Sequence, residues 1–161
     1  MSEELDVRWR RARAWLERVR AAASAIEPLV REIAALEEAR TRTLPWQTRS
    51  GGGGGGSVGA HSDPTASEAE RRMASLESLI AGKRHELDVL TDTVGECGAA
   101  LDRMRHTLGE RHAQAIELYY IDRADTWSEV ASEMGCHRQT LWRLRDEAYA
   151  WIEVYCRMFL T

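Results

Sequence analysis

The chain has 161 residues and is poor in several residue types that mark particular protein classes. Its three cysteines, Cys97, Cys136 and Cys156, are an odd number with no CxxC or Cys/His ligand spacing, so neither a disulfide framework nor a structural zinc site is expected. No apolar run reaches membrane-spanning length and no apolar signal region follows the N-terminus, which predicts a cytoplasmic protein without a membrane segment. No phosphate-binding loop, carboxylate dyad or nucleophile–base pair stands out. We therefore expect neither an enzyme nor a cofactor.

Charge and aromatic content exclude further classes of protein. The 26 acidic residues outnumber the 22 basic ones, of which only Lys83 is a lysine, and the net charge of −4 excludes a histone-like polycation. Aromatic residues make up 7% of the chain and there are three prolines, a balance that suits long helices better than a β-sandwich. A metal site needs ligands that converge, and no such spacing links the scattered histidines His61, His85, His106 and His112.

The segment 41–62 divides the chain. It contains Pro45 and six consecutive glycines at 51–56, which lose much backbone entropy on ordering and offer no side chain to bury. We therefore predict a flexible linker, disordered from about residue 47 to 60, between a first long helix at 1–40 and a second at 63–106.

Apolar residues on both sides of this linker recur alternately every three and four residues, which is the pattern of a heptad seam. The first seam is Leu5, Trp9, Ala12, Leu16, Val19, Ala23, Ile26, Val30 and Ile33. The second is Met73, Leu76, Ile80, Lys83, Leu87, Leu90, Val94, Cys97, Leu101 and Met104. Because the linker is long enough for the second helix to fold back, we predict an antiparallel, coiled-coil-like hairpin; an ordinary helical core is the alternative.

Local sequence signals predict where the second helix begins and where both helices bend or break. Asp63-Pro64 predicts the N-cap and first helical residue of the second helix. Pro28 removes a helical hydrogen bond, and Gly95 and Gly98 each cost about 1 kcal/mol relative to alanine, so we expect a bend or break near each of them.

Residues 107–161 are predicted to form three shorter helices. Thr107–Glu110 and Thr126–Glu129 each have the sequence of a capping box, and Gly135 suits the left-handed residue that ends a helix. The third helix is expected from His137 to about Met158. The residues expected to face the core are Ala113, Ile116, Leu118, Tyr119, Tyr120, Val130, Ala131, Met134, Leu141, Leu144, Ala148, Ile152 and Tyr155.

A short helix, a glycine turn and a longer helix together form the arrangement of a helix-turn-helix DNA-binding module. Arginine can bind guanine bidentately and glutamine can bind adenine, and both residue types lie in the first turns of the predicted third helix. The start of the short helix favours a nearby phosphate. The predicted DNA-binding residues are Thr126, His137, Arg138, Gln139, Thr140, Trp142 and Arg143.

The same residues carry a resemblance to known proteins. Leu118-Tyr119-Tyr120, the stretch 126–131, the stretch 134–138 and Leu141 resemble the helix-turn-helix of sigma-70 region 4. With the Ser-Asp-Pro-Thr stretch at 62–65 ahead of the second helix, the order of parts resembles phage and prophage late-transcription regulators of the ArpU/RinA type. The resemblance covers about residues 62–155 and is good over 107–152.

By that resemblance the DNA-facing positions are Arg138, Gln139, Trp142 and Arg143, and Thr126 touches a phosphate. His137 stands where the family usually has serine or threonine at the helix N-cap. The resemblance implies a sequence-specific regulator in a bacterial host cell that binds double-stranded DNA and activates phage or prophage late genes with host RNA polymerase. The long helices predict a homo-oligomer, with a dimer favoured, because a symmetric pair doubles the weak contact of one module.

Charge is the main argument against DNA binding. Residues 106–161 contain six arginines and nine acidic residues, although Arg138, Arg143 and Arg145 gather on the third helix. The arginine-rich stretch 8–20 is either a phosphate-binding arm or the solvated face of a helix. Two other functions stay open: a small terminase-like DNA-packaging protein, and a coiled-coil adaptor that binds no DNA.

Overall fold

The structure, a computed structural model, describes residues 9–43 and 64–157. Within these ranges the fold is all-α, as the sequence predicts. It consists of α1 (Arg10–Thr43), α2 (Pro64–Thr107), α3 (Glu110–Ile116), a π-helical segment (Glu117–Ile121), α4 (Trp127–Glu133) and α5 (Arg138–Tyr155). Residues 41–43, which the sequence assigns to the linker, belong to α1, and the rest of the predicted linker, Asp63 and Leu5 of the first seam lie outside the described residues. None of the described helices combines the length and apolar character needed to cross a bilayer.

The two long helices run through two compact units. One unit contains residues 9–26 and 89–157, and the other contains residues 27–43 and 64–88. In each unit a part of α1 contacts a part of α2, as the predicted hairpin requires. The first unit therefore combines one end of the hairpin with the C-terminal helices, whereas the sequence prediction placed a domain boundary at residue 107.

The first unit contains two groups of buried apolar residues. The first cluster joins both long helices to α3, the π-helical segment and α5: Ala12, Trp15, Leu16, Val19, Cys97, Ala100, Leu101, Met104, Ala113, Ile116, Tyr120, Ala148, Tyr149, Trp151, Ile152 and Cys156. The second cluster is smaller and lies around α4: Ala115, Leu118, Val130, Ala131 and Leu141. These clusters show that the C-terminal helices share their main core with the hairpin.

In the second unit, α2 buries Met73 and Ile80. Lys83, the charged member of the predicted second seam, is half-buried, and its ammonium lies 3.2 Å from a Glu32 carboxylate oxygen on α1 and 3.5 Å from Glu86. The hydrogen bond with Glu32 raises the pKa of Lys83. Ion pairing with α1 thus accounts for a charge in this seam. Every member of the second seam is at least half-buried, which confirms that prediction.

The first seam is only partly correct. Its residues at seven-residue intervals from Ala12 to Ile33 are buried or half-buried, and so are Trp9, Leu16 and Ala23, but Val30 is exposed. Leu29 is 5% exposed, whereas Val30 is 47% exposed, and Ala22 is more deeply buried than Ala23. Both alternatives are apolar and equally well spaced. The periodicity therefore could not distinguish them, and only the burial in the folded chain selects the set containing Leu29.

Neither long helix is interrupted at the positions where the sequence predicts a bend or break. The helix α1 continues through Pro28, and α2 continues through Gly95 and Gly98. A proline in a helix removes one hydrogen bond and a glycine costs about 1 kcal/mol. These local costs are smaller than the free energy gained by burying an uninterrupted apolar face, since each fully buried large apolar side chain contributes about 1.5–3 kcal/mol.

A pair of tyrosines lies inside the first cluster. The hydroxyl oxygens of Tyr120 and Tyr149 are 2.7 Å apart, and the two residues are 1% and 4% exposed. Burial raises the pKa of Tyr149 to about 12 and also raises that of Tyr120. Each hydroxyl therefore has its polar partner in the other, and both stay protonated well above neutral pH.

The corrected register of α1 can be tested at two adjacent residues. Leu29→Ala leaves a cavity and should lower the free energy of unfolding by about 2–4 kcal/mol. Val30→Ala removes a largely exposed side chain and should change it by less than about 0.5 kcal/mol. Urea unfolding followed by circular dichroism measures both. A cost for Val30→Ala equal to that for Leu29→Ala would restore the register predicted from the sequence.

The tyrosine pair predicts a loss of stability in alkaline solution. An unfolded tyrosine loses its proton near pH 10, whereas Tyr149 in the folded chain holds its proton to about pH 12. Between these values the folded state binds more protons than the unfolded state, so its stability falls as the pH rises. Replacing both Tyr120 and Tyr149 by Phe should be nearly neutral at pH 7 and should reduce the alkaline loss. Replacing the exposed Tyr155 by Phe is the control, and an unchanged alkaline loss in the double variant would contradict the prediction.

Candidate nucleic-acid interface

The connection from α2 to α3 differs from the sequence prediction. The capping box predicted at Thr107–Glu110 does not form, because Thr107 still belongs to α2 and its hydroxyl donates to the Arg103 carbonyl oxygen at 3.0 Å. The chain turns instead at Gly109, whose φ of 120° is available to glycine, and this residue is the N-cap of α3 without a side-chain hydrogen bond. The continuation of α2 through Thr107 therefore prevents this capping box from forming.

The end of α3 widens into the π-helical segment Glu117–Ile121, which the sequence prediction missed. Helical hydrogen bonding stops at Arg123, which has a φ of 65°, and the next amide, that of Ala124, donates back to the Leu118 carbonyl oxygen at 3.0 Å. This return turns the chain toward α4. The turn leaves the carbonyl oxygens of Tyr119 and Ala124 outside the backbone hydrogen bonding of any helix.

The second predicted capping box is confirmed at the start of α4. Thr126 Oγ1 accepts from the Glu129 amide at 3.2 Å, and Glu129 Oε2 accepts from the amides of Asp125 and Thr126 at 2.8 and 3.4 Å. The amides of Asp125 and Thr126 thus already have a carboxylate acceptor. A phosphate could therefore meet Thr126 only through its hydroxyl group.

The turn between α4 and α5 has the geometry that Gly135 predicts. Gly135 has a φ of 58°, its amide donates to the Ser132 carbonyl oxygen at 3.1 Å, and the Cys136 amide donates to the Ala131 carbonyl oxygen at 3.0 Å. These two bonds form a Schellman motif, which ends α4 and fixes the direction in which α5 begins. The predicted helix-turn-helix is thus present, with a turn that is defined by the backbone.

The inner face of α5 is mostly as predicted. Leu141, Leu144, Ala148 and Ile152 are buried, but the expected core residue Tyr155 is 65% exposed. Its ring stacks on Trp151 with 5.0 Å between centroids. Trp151 and Tyr149 supply the aromatic burial instead.

Most of the predicted DNA-binding residues are exposed together at the start of α5. His137, Arg138, Gln139 and Arg143 are exposed, whereas Thr140 and Trp142 are half-buried. Positions 138, 139, 142 and 143 share one face of a helix with 3.6 residues per turn. His137 is the N-cap of α5 and makes no side-chain capping hydrogen bond. Thr126 is exposed at the start of the neighbouring helix α4.

The charges on this face are unevenly balanced. Arg143 Nε lies 3.9 Å from a Glu147 oxygen, and the other Glu147 oxygen is 2.6 Å from His112 Nε2. Arg145 pairs with Asp146 at 2.7 Å. Among the described residues, no carboxylate lies within ion-pair distance of Arg138, whose guanidinium instead lies 5.6 Å from the centroid of the Trp142 ring. The positive charge is therefore least compensated at the first turn of α5.

An aromatic stack missed by the sequence prediction supports this face. The Tyr119 ring is nearly parallel to the Trp127 ring at 4.1 Å, and the Trp127 and Trp142 centroids are 6.2 Å apart. The guanidinium of Arg145 lies 4.2 Å from the Trp142 centroid and 5.7 Å from that of Trp127. Trp142, which the sequence predicts to bind DNA, is thus half-buried and also contacts side chains of the protein itself.

The position of Trp127 in the sequence is a partial signal for this aromatic stack. Trp127 follows the cap of α4 directly, and an indole in a first helical turn needs a partner surface, but only the fold shows that Tyr119 supplies it.

The described ranges contain no group of three or more His, Cys, Asp or Glu side chains that could hold a metal ion. Comparison of the chain with models of protein families, with curated proteins and with solved structures finds no match.

The capping role of Thr126 predicts its effect on stability. Thr126→Ala removes the bond from the Glu129 amide and should lower the free energy of unfolding by about 1 kcal/mol, whereas Thr126→Ser keeps an acceptor and should cost much less. Urea unfolding curves of the two variants measure the difference. Equal losses in both would show that the methyl group of Thr126, and not its hydroxyl, stabilises this helix start.

Proposed function

We propose that the protein is a sequence-specific DNA-binding transcriptional regulator that reads the major groove with the first turns of α5. The observation that carries this proposal is the exposed face of Arg138, Gln139 and Arg143 at the start of a helix that a fixed turn connects to α4. A recognition helix needs base-reading side chains in its N-terminal turns and a preceding helix that supports it.

The charge distribution supports recognition of a few bases over general affinity for phosphates. The C-terminal module is net acidic, so nonspecific binding through counterion release is weak. Arg138, with no carboxylate partner in the described chain, is available to a guanine edge, and Gln139 beside it suits adenine. Thr126 contributes a hydroxyl hydrogen bond to one phosphate.

The biological setting follows from the resemblance to phage and prophage late regulators. We propose activation of late genes together with host RNA polymerase, by a dimer that places two modules on two half-sites. Two modules on one duplex would raise the affinity well above that of a single weakly charged module. This suits a protein whose reading face carries few positive charges that lack a carboxylate partner.

The test begins with selection of bound sequences from a random duplex library by the purified full chain. Fluorescence anisotropy then compares the selected duplex with a scrambled one at two salt concentrations. Arg138→Ala combined with Arg143→Ala should weaken specific binding by at least about tenfold, because each lost base contact costs about 1–3 kcal/mol. Both side chains are exposed, so the circular dichroism spectrum should not change.

The matched control is Arg71→Ala combined with Arg72→Ala, which removes the same charge from exposed positions on α2 in the other compact unit. This control should bind the selected duplex as the unchanged chain does. If selection enriches no sequence, the proposed function is wrong. If the chain binds a selected duplex but the α5 double variant binds it equally well, the reading face lies elsewhere.

A further inference from the structure

Arg20, on the first long helix, makes three contacts with the segment that leads into the helix-turn-helix. Its Nη1 donates to the Tyr119 carbonyl oxygen, its Nη2 donates to the Ala124 carbonyl oxygen at 3.0 Å, and its guanidinium lies 4.4 Å from the centroid of the Tyr119 ring. One planar side chain thus holds two backbone groups and one ring. Such a fork suits arginine and not lysine.

The two carbonyl groups are those that the turn after the π-helical segment leaves outside helical hydrogen bonding. The positive φ of Arg123 ends the helix, and the Ala124 amide returns to Leu118. A half-buried carbonyl oxygen without a donor is unfavourable, so a donor from another helix stabilises this one path of the chain. Arg20 therefore fixes where the segment before α4 runs.

Tyr119 connects Arg20 to the reading face. Tyr119 and Trp127 pack against both buried clusters, the one shared with the hairpin and the smaller one around α4. From Trp127 the ring contacts continue to Trp142, which lies between Arg138 and Arg143 on α5. Every step is a direct contact within the first compact unit, and packed interiors transmit displacement because they contain few voids.

We propose that Arg20 is a positioning residue, which sets the placement of the α5 reading face through Tyr119, Trp127 and Trp142 without touching DNA itself. This inference rests on the proposed function, since it names what holds the same face in place. The long helix α1 would then support DNA recognition by holding the reading face in place. Loss of the Arg20 guanidinium would displace the recognition side chains of α5 without removing any of them.

The experiment compares Arg20→Ala and Arg20→Lys with Arg11→Ala in the full chain. Arg11 is the matched control, because it lies on the same helix and its ion pair with Glu153 on α5 stays clear of the aromatic stack. All binding is measured with the selected duplex at a temperature where every variant is folded. Arg20→Ala should weaken binding by about tenfold with an unchanged salt dependence, and Arg11→Ala should leave the affinity within about twofold.

Hydrogen exchange supplies a second readout that needs no DNA. The amides of α4 should exchange faster in Arg20→Ala than in the unchanged chain, while those of α2 near Leu101 keep their protection. Arg20→Lys keeps the charge but cannot hold both carbonyl groups and the ring, so it should also weaken binding and loosen α4. This variant serves where Arg20→Ala does not fold.

Three results would overturn the inference. Unchanged affinity with a lower melting temperature would make Arg20 purely structural. A smaller salt slope in Arg20→Ala would make it a phosphate contact. Exchange that rises equally in α2 and α4 would show a general loss of stability. Failure of the proposed function is distinguishable, because the unchanged chain would then select no duplex while the exchange experiment still tests the coupling to α4.

Discussion

The packing of the first long helix against the C-terminal helices is the interaction on which the rest of the structure depends. Ala12, Leu16 and Val19 of α1 lie in the same buried cluster as Ile116, Tyr120 and Ile152. A module of about 50 residues buries too little surface to be stable easily by itself, so a core shared with longer helices is a physical solution. The helix-turn-helix is therefore part of a larger unit that also contains one end of α1 and one end of α2.

This shared core leaves α4 in a special position. The buried residues of α4, Val130 and Ala131, lie in the smaller cluster, whose five members come from α3, the π-helical segment, α4 and α5. Local stability depends on how many buried contacts a segment makes, so α4 is the part of the module with the least apolar support. Tyr119 and Trp127, which pack against both clusters, supply the contact between this weakly supported helix and the main core.

The sequence was most informative where the signal is local and repeated. Long helices, the capping box at Thr126 and the turn at Gly135 follow from spacing and from backbone preferences that act over a few residues. The side of α1 that is buried could not be predicted in the same way, because Leu29 and Val30 are both apolar and continue a seven-residue repeat equally well. Only their burial in the folded chain distinguishes them.

The candidate site likewise combines local features that the sequence predicts with contacts that it does not predict. That Arg138, Gln139 and Arg143 share one exposed face follows from helical geometry, and the structure places them so. The contact of Trp142 with Trp127 could not be predicted, because it forms only when α5 turns back on α4. The contact of Arg20 with Tyr119 joins residues 99 positions apart, and no local pattern encodes such a pair.

The charge of the reading face finally bears on how selective it can be. Arg143 and Arg145 have carboxylates on their own helix, at Glu147 and Asp146, so much of their field is compensated before any ligand arrives. A protein with many free cations binds any duplex through released counterions, and the affinity for wrong sequences then competes with the right one. A face with one uncompensated arginine gains little from an arbitrary duplex. Its binding depends instead on hydrogen bonds to base edges, and these require that the helix carrying them be held in one position.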